Sequence, residues 1–333
     1  MRAAALLRYA LPAALLALAG CGQSDSRDPG EVRAAEQGLP TLTIHRETRT
    51  GPGSVNAYWI EGSDGIVIFD TQRDPDLAAR FASEIEQAGK PVIAIIVSHY
   101  HADHFAGLPY LAEAFPDARI LMPEAVAEQL SEDPSGYVEQ VAALYGEDFG
   151  GMPEADGLLT GGEELNLSGV PMTVSIVDEA EASPILMLAV PSQNALLASD
   201  LVVSGMHPNM ADADLDSWPR ALERLSRDFP NVTLYPGHGE QGPANLLVAN
   251  QTAYLNFMRT LVINDLIDDD VATESQIAAA LTQIRGNYPD WESTTGRPAQ
   301  LRRNLEAMIE KLGGRLALQR RVTAGDRESR PSE

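Results

Sequence analysis

The sequence predicts a mixed α/β fold, in which short apolar strands alternate with longer helices. Strands are expected where short apolar runs rich in valine and isoleucine lie between polar turns. A first set of such runs lies near residues 41–46, 55–61, 65–70 and 92–97. A second set lies near residues 164–168, 172–178, 185–190 and 194–199, and a further strand is expected at 232–235.

Helices are expected between these strands, where apolar residues recur at helical spacing. One helix spans about Asp74 to Ala88, and a second spans Asp103 to Phe115. Pro123 begins another, because the first turn of a helix does not need the N–H donor that proline lacks. The remaining helices are expected at residues 137–145, 217–229, 244–267, 273–284 and 298–316. The stretch 131–162 mixes a helix with glycine and acidic residues, as loops or lids over a site do.

The composition limits the classes of function. The chain has 333 residues, which is enough for one large domain with a substantial core. Its formal net charge is -24 at pH 7, so it lacks the positive surface that binding to a phosphate backbone requires. A small-molecule substrate is therefore expected, and nucleic acid is not.

The segment 98–104, Ser-His-Tyr-His-Ala-Asp-His, carries the chemistry. It holds three of the six histidines of the chain and directly follows the apolar run 92–97. His99 and His101 lie on the same side of an extended chain, whereas Asp103 and His104 lie where the chain turns into a helix. Imidazole nitrogen and carboxylate oxygen are the ligands that zinc takes when one coordination position stays open. This concentration of ligands indicates a metal site rather than a set of solvent-exposed histidines.

The pattern His-x-His-x-Asp-His after an apolar strand resembles the signature of the metallo-β-lactamase superfamily of binuclear metallohydrolases. Residues 56–71 resemble the opening hairpin of that family. The segment 196–200, Leu-Leu-Ala-Ser-Asp, resembles the strand that delivers a metal-bridging aspartate, and 235–239, Tyr-Pro-Gly-His-Gly, resembles the loop with the last histidine. These matches span about residues 41–260 in the family's order. The resemblance implies a four-layer αββα sandwich, here with extra C-terminal helices.

The resemblance also implies two metal sites with an aspartate between them. The ligands it implies are His99 and His101 for the first site, Asp103, His104 and His238 for the second, and Asp200 as the bridge. Zinc is the expected metal, as one or two ions, and Mn²⁺ or Fe²⁺ also suits such a mixed shell.

One ligand of the family pattern is missing. In most members a histidine precedes the bridging aspartate at a fixed spacing, and in this chain that position falls on Glu181. Its carboxylate can replace an imidazole on zinc, with Asp178 or Glu179 as alternatives if the turn is registered differently. The other interpretation is an acidic surface turn. The first site is therefore expected to bind metal less tightly than the second, and a mononuclear centre stays open.

The sequence also suggests roles beyond metal binding for three residues, Asp103, His207 and His45. Asp103 is expected to orient the nucleophile or to pass a proton to the leaving group. His207 lies where loops cover the metal centre in the family, so contact with substrate or proton transfer stands beside a structural role. His45, in the first strand, is expected to be structural.

These residues predict a metal-dependent hydrolase that attacks an ester, thioester, lactone or amide carbonyl with a metal-bound hydroxide. The bridging Asp200 resembles the glyoxalase II and lactonase members of the family rather than its true β-lactamases. Two other interpretations are open. One is an iron-dependent sulfur dioxygenase that uses a single ion, and the other is a lipid-anchored metal-binding protein without catalysis.

The amino terminus resembles a bacterial secretion signal, since basic residues precede a short apolar stretch. Leu18-Ala19-Gly20-Cys21 resembles a lipobox, in which the cysteine is lipidated, and ordinary signal cleavage is the alternative. The predicted location is the periplasmic side of a bacterial membrane, with Cys21 as the anchor. The outer membrane is one of the two membranes that this prediction allows. The expected organisation is a signal at 1–21, a disordered tether at 22–40, a catalytic domain at 41–268, a helical extension at 269–318 and a disordered tail at 319–333. The oligomeric state is open.

Overall fold

Two sheets lie at the centre of the molecule. The computed structural model describes residues 43–48, 51, 53–267 and 271–317. The first sheet contains, in sequence order, β1 (Thr43–Thr48), β2 (Asn56–Glu61), β3 (Ile66–Phe69), β4 (Val92–Ile96), β5 (Arg119–Pro123) and β6 (Gly157–Leu159). Strands β1 to β3 are antiparallel, whereas β3 to β6 are parallel. All residues of β3 are buried, as expected for a parallel strand that is covered on both faces.

The second sheet is mostly antiparallel. Its strands are β7 (Glu164–Leu167), β8 (Val170–Val177), β9 (Ile185–Val190), β10 (Ala195–Val203), β11 (Thr233–His238) and β12 (Gly242–Pro243), again in sequence order across the sheet. Only the pair β10 and β11 is parallel within this sheet. Their parallel pairing brings the ends of these two strands to the same edge of the sheet.

Helices cover the outer face of each sheet. The helices on the first sheet are α1 (Pro75–Gln87), α2 (Ala102–Phe105), α3 (Leu108–Ala114), α4 (Glu124–Glu132) and α5 (Tyr137–Tyr145). The helices on the second sheet are α6 (Ser217–Asp228) and α7 (Ala244–Leu261), and two further helices, α8 (Glu274–Asn287) and α9 (Gln300–Lys311), join the same apolar cluster. A third apolar layer fills the space between the two sheets. The α/β class and the sandwich of two sheets flanked by helices are thus confirmed.

Helix α1 illustrates how the sequence determines these elements. The side chain of Asp74 accepts a hydrogen bond from the amide of Leu77 at 2.8 Å, and Pro75 occupies the first turn. The N-cap supplies an acceptor for an amide that has no partner inside the helix. Leu77, Phe81 and Ile85 recur at a spacing of one turn and are buried against the first sheet.

Two predicted helices differ from the structure. The helix expected from Asp103 to Phe115 is broken into α2 and α3, because the amide of Gly107 donates to the carbonyl of Gln72 at 3.0 Å instead of to the preceding helical turn. The chain also passes so close to the Thr71 carbonyl at Gly107 that a Cβ atom would clash. The helix expected at 298–316 ends at Lys311, where Gly313 adopts a positive φ of 91°. The following strand β14 (Arg315–Leu316) pairs with β13 (Val271–Ala272).

The helices of the C-terminal extension share one core with the body of the sandwich. Leu305 and Met308 of α9 belong to the same apolar cluster as Met258 and Leu261 of α7. The extension therefore packs on the outer helices. Strand β6, in the stretch that the sequence assigned to a loop or lid, instead extends the first sheet.

The predictions for the signal, for Cys21 as lipid anchor, for the tether and for the tail lie outside the described residues. Within the described ranges, no helix has the length and apolar character needed to cross a membrane.

Candidate metal centre

Seven ligand-type side chains converge between the two sheets. The first group contains His99, His101, Glu181 and Asp200, and the second group contains Asp103, His104 and His238. Within each group the ligand atoms lie within 4.8 Å of one another. All are buried except Asp103, whose side chain is 17% exposed. The structure therefore brings together the seven residues that the sequence analysis favoured as ligands.

The strands and one short helix place these side chains. His99 and His101 lie in the segment that connects β4 to α2, and the backbone at His101 is extended. The first turn of α2 carries Asp103. Ser199 has a positive φ of 47°, and the pairing of β10 with β11 is irregular there. Such a bulge re-aims the neighbouring side chain, and here Asp200 points into the centre.

In the first group, three side chains point at a common position. His101 Nδ1 lies 3.2 Å from His99 Nε2 and 3.2 Å from Glu181 Oε2. Glu181 Oε2 is 3.9 Å from His99 Nε2, and Asp200 Oδ2 is 4.0 Å from the same nitrogen. The carboxylate of Glu181 thus belongs to the first group, as its spacing from Asp200 along the chain predicted.

The alternative carboxylates of the same turn point elsewhere. Asp178 and Glu179 are both exposed, whereas Glu181 is fully buried. Glu179 accepts a hydrogen bond from the hydroxyl of Ser217 at 3.0 Å. The turn is therefore registered with Glu181 toward the centre, and the interpretation as an acidic surface turn is wrong for this residue.

In the second group, Asp200 meets both histidines. His104 Nε2 lies 3.3 Å from Asp200 Oδ1, and His238 Nε2 lies 3.2 Å from Asp200 Oδ2. Asp103 Oδ2 lies 3.5 Å from His238 Nε2. Asp200 is therefore shared by the two groups.

A buried hydrogen-bond network fixes the histidine rings from behind. Asp70 accepts from His104 Nδ1 at 2.8 Å, from the Ser98 hydroxyl at 2.9 Å and from the Ser98 amide at 2.8 Å. The Ser98 hydroxyl also contacts His99 Nδ1 at 2.9 Å. His238 Nδ1 donates to the carbonyl of Ser54. In His99, His104 and His238, Nδ1 is thereby engaged, which leaves Nε2 toward the centre, as outer partners of metal ligands do.

Burial and mutual charge set the protonation of the centre. Burial, together with the neighbouring His104 and His101, holds the pKa of His99 well below its usual range. Burial alone would raise the pKa of Asp200, but His238 and His104 hold it well below the usual range. Asp200 is thus anionic and His99 neutral, which are the states that metal ligation requires.

The other two residues of the first group, Glu181 and His101, shift the pKa of each other. Burial raises the pKa of Glu181 to about 7, against the opposing effect of His101. Burial alone would lower the pKa of His101, but the Glu181 carboxylate raises it to about 9. A cation that binds here must displace protons from this pair, so its affinity depends on pH.

The unsatisfied atoms of the centre fit a metal. Among the described residues, the buried atoms that lack a hydrogen-bond partner include His104 Nε2, His238 Nε2, Asp200 Oδ1 and both carboxylate oxygens of Glu181. Buried polar groups without partners are costly, and these converge in two places. Four imidazoles and three carboxylates form a donor set that suits zinc and also admits manganese or iron.

Asp103 has a partner that the sequence analysis missed. Arg73, in the loop between β3 and α1, donates from Nη2 to Asp103 Oδ2 at 3.1 Å. Burial alone would raise the pKa of Asp103, but Arg73 is the main group that lowers it. Arg73 therefore helps to keep Asp103 in its anionic form, in which it can ligate a metal or accept a hydrogen bond. No local pattern marks Arg73, because the two residues are separated by the whole of α1 and β4.

His207 lies in neither group. Its side chain is 2% exposed, and its Nδ1 hydrogen-bonds with the Tyr254 hydroxyl at 2.9 Å. The rings of Tyr288 and Trp291 also pack against it. Of the two roles that the sequence left open, the structure supports the structural one. His45 stacks on Trp59 at 3.7 Å between ring centroids, which agrees with its expected structural role.

A pocket of about 200 Å³ has Tyr100, the sequence neighbour of His99 and His101, in its wall. It is lined by uncharged side chains, namely Tyr100, Gln129, Leu130, Pro134, Ser135, Tyr137 and Val138. Tyr100 lies between two ligands in the sequence, and its ring is 5.0 Å from that of His101. The Tyr137 hydroxyl accepts a hydrogen bond from the amide of Ala102 at 3.2 Å, beside Asp103.

A family model described as the metallo-beta-lactamase superfamily matches residues 50–238, which is more than half of the chain. A hydroxyacylglutathione hydrolase from Synechococcus sp. (strain WH7803) is 26% identical over 187 residues, which cover 54% of this chain and 62% of that protein. A type 2 metallo-beta-lactamase from Bacteroides fragilis is 22% identical over 160 residues, which cover 47% of this chain and 57% of that protein. The chain thus spans less than two thirds of the length of these curated relatives.

Solved structures share the same sandwich. A metallo-beta-lactamase from Pontibacter korlensis superposes with a TM-score of 0.53 at 21% identity, over 65% of this chain and 94% of that one. The metallo-beta-lactamase FIM-1 from Pseudomonas aeruginosa, in its mono-zinc form, gives a TM-score of 0.52 at 17% identity, over 65% and 91% of the two chains. At these identities the likeness shows the fold alone.

Proposed function

The chain belongs to the metallo-beta-lactamase superfamily, and from that premise we propose that it is a metal-dependent hydrolase of ester, thioester, lactone or amide carbonyls. The observation that carries this proposal is the position of Asp200. One of its oxygens lies 3.2 Å from His238 Nε2, and the other lies 3.3 Å from His104 Nε2. The same side chain belongs to the first group. A carboxylate shared in this way suits a centre of two divalent ions.

The two groups would hold one ion each, with zinc as the favoured metal. When bound, such ions supply Lewis-acid polarisation of the carbonyl oxygen and lower the pKa of water to about 7. The protein's own part is to fix the ligands and to exclude bulk water. Full burial of His99, Glu181 and His238 serves both purposes.

Two side chains at the mouth of the centre would act on the substrate. Asp103 is kept anionic by Arg73 and therefore orients the attacking water as a hydrogen-bond acceptor. Burial raises the pKa of Tyr137 to about 12, so its hydroxyl stays protonated at neutral pH. That hydroxyl already accepts from the Ala102 amide, so its own proton is directed to a further acceptor, which we propose is the substrate carbonyl.

The pocket beside Tyr100 favours an uncharged acyl group. None of its lining side chains is charged, in a chain whose net charge is -24.

Among the carbonyl compounds, the shared Asp200 favours thioesters and esters over β-lactams, because this feature resembles glyoxalase II and lactonases. The similarity to hydroxyacylglutathione hydrolases supports the same choice.

The test is a panel of acyl thioesters, aryl esters, lactones and a chromogenic β-lactam, assayed with the purified protein. We expect thioester or ester hydrolysis that is lost on treatment with a chelator and restored by zinc. Asp103→Asn should lower kcat/KM by about 10²-fold or more. Asp64→Asn, at an exposed aspartate whose side chain accepts from the Ser63 hydroxyl, should leave kcat/KM unchanged.

Hydrolysis that survives removal of the metal would overturn the proposal. Turnover of the β-lactam alone would overturn the choice of substrate class. Bound iron together with sulfur-dependent oxygen uptake would replace hydrolysis by the redox interpretation.

A further inference from the structure

Arg73 joins the second group to the C-terminal extension. Its Nη2 lies 3.1 Å from Asp103 Oδ2 and 2.9 Å from the carbonyl oxygen of Thr294, and its Nη1 lies 3.5 Å from the carbonyl oxygen of Thr295. The side chains of Arg73 and Asp103 are each 17% exposed. The guanidinium is thus held mostly out of water between a carboxylate and two backbone carbonyls.

The segment 292–296 is itself attached to the body of the protein. The amide of His207 donates to the Glu292 carbonyl at 2.8 Å, and the amide of Thr294 donates to the His207 carbonyl at 3.1 Å. On its other side, the amide of Gly53 donates to the Ser293 carbonyl at 3.0 Å. The carbonyls that receive Arg73 are therefore fixed by backbone hydrogen bonds from two directions.

Close approach of three segments at this point requires a glycine. A Cβ atom at Gly53 would lie 3.0 Å from Arg73 Nη1 and 3.1 Å from Gly296 Cα. Gly53 also has a positive φ of 75°, which favours glycine. The backbone of Arg73 is held too, since its carbonyl accepts from the Tyr145 hydroxyl at 2.8 Å.

We propose that Arg73 is a positioning residue for the second metal site, and that the segment 292–296 is by this means part of the metal centre. This inference rests on the metal centre of the proposed function, not on the reaction. A planar guanidinium offers several donors in a fixed fork, so it can hold a carboxylate and two carbonyls at once. Because the same guanidinium also donates to the Thr294 and Thr295 carbonyls, it fixes the orientation of the Asp103 carboxylate.

Outer partners of metal ligands typically contribute a factor of about 10–100 to metal affinity. Each metal site can be measured alone in a variant that lacks a ligand of the other. His101→Ala leaves the second group intact, and His238→Ala leaves the first. Zinc dissociation constants are then measured by competition with a chromophoric chelator, with Arg73→Met added to each background.

We expect Arg73→Met to weaken zinc binding about 10–100-fold in the His101→Ala background and by less than about twofold in the His238→Ala background. Arg73→Lys should fall between these results, because a single ammonium cannot hold all three acceptors in one geometry. It also carries the test if Arg73→Met does not fold. Arg302→Met is the matched control, since the Arg302 side chain bonds Glu274 and Glu306 on the outer helices, outside both metal groups.

Unchanged or tighter zinc binding at the second site in both Arg73 variants would overturn the inference. Equal weakening at both sites would also overturn it, because that result indicates a general loss of structure. A protein that binds zinc as expected but hydrolyses no carbonyl substrate would remove the proposed function and leave this inference standing.

Discussion

Nδ1 of His101 lies 3.2 Å from Oε2 of Glu181 at the centre of the molecule. Both oxygens of this glutamate lack a hydrogen-bond partner among the described residues, although the side chain is fully buried. A buried carboxylate without hydrogen bonds is costly, so this position is explained best by a cation between the two side chains. The first site then has a harder and more negative ligand set than one built from three histidines.

Replacement of Glu181 should therefore empty the first site. In Glu181→Gln we expect the metal content to fall from about two ions per chain to about one, because a neutral amide is a poor zinc ligand. Glu181→His should retain both ions. Elemental analysis after dialysis measures this, with Glu179→Gln as the control, since Glu179 is exposed and bonds Ser217. Equal metal content in Glu181→Gln and the wild type would make Glu181 a bystander.

Asp70 supports the centre without belonging to either group. It accepts from His104 Nδ1 at 2.8 Å, which fixes the ring and directs Nε2 inward. Asp70→Asn should weaken zinc binding about 10–100-fold, as loss of an outer partner does. A chelator competition assay gives the affinity. Asp156→Asn is the matched control, because Asp156 likewise accepts a backbone amide, from Ile120 at 2.8 Å, but lies outside both groups. A similar loss in both variants would contradict a specific role for Asp70.

His207 should make stability depend on pH. Burial, with a smaller effect from Arg285, lowers the pKa of His207 to about 4. In the unfolded chain a histidine titrates near pH 6.5, so between about 6.5 and 4 only the unfolded state binds this proton. The neutral ring therefore contributes fully to the free energy of unfolding above about pH 6.5. This contribution, on the order of 3 kcal/mol, is lost as the pH falls toward 4.

Urea unfolding of the wild type and of His207→Gln at pH 7.5 and pH 4.5 checks this expectation. The variant lacks the titrating ring, so its free energy of unfolding should fall less between the two pH values. The difference between the two proteins cancels the contributions of the other titrating groups. The same decrease in both proteins would exclude His207 as the source.

Tyr137 should contribute to turnover. Tyr137→Phe removes the hydroxyl beside Asp103 but keeps the ring that packs on Phe105, 6.1 Å away between centroids. We expect kcat to fall about 10–100-fold with little change in KM, as for loss of one donor to a developing oxyanion. Tyr110→Phe, at a tyrosine that is 37% exposed, serves as the control. An unchanged kcat for Tyr137→Phe would exclude the hydroxyl as a donor to the substrate.

Much of the centre could be predicted because its residues lie at strand ends in short, dense motifs. His99, His101, Asp103 and His104 are nearly contiguous, and their relative positions follow from the transition between a strand and a helix. Glu181 could be placed only by its distance from Asp200 along the chain. The structure supplied the reason for choosing it over its neighbours, which is its complete burial.

The contacts that sequence analysis missed are long-range. Arg73 meets Thr294 across more than two hundred residues of chain, and neither residue stands in a periodic pattern. Hydrophobic periodicity reports which face of an element is buried but not which distant loop lies against it. The break at Gly107 was missed for the same reason, because the amide of Gly107 donates to the carbonyl of Gln72, which lies 35 residues earlier in the chain.

Anomalous scattering at the zinc absorption edge, measured on crystals of the zinc-loaded protein, tests the central claim most directly. The account predicts two peaks, one among His99, His101 and Glu181 and the other among Asp103, His104 and His238, with Asp200 between them. A single peak with Glu181 turned away from it, or no peak in either group, would contradict the account.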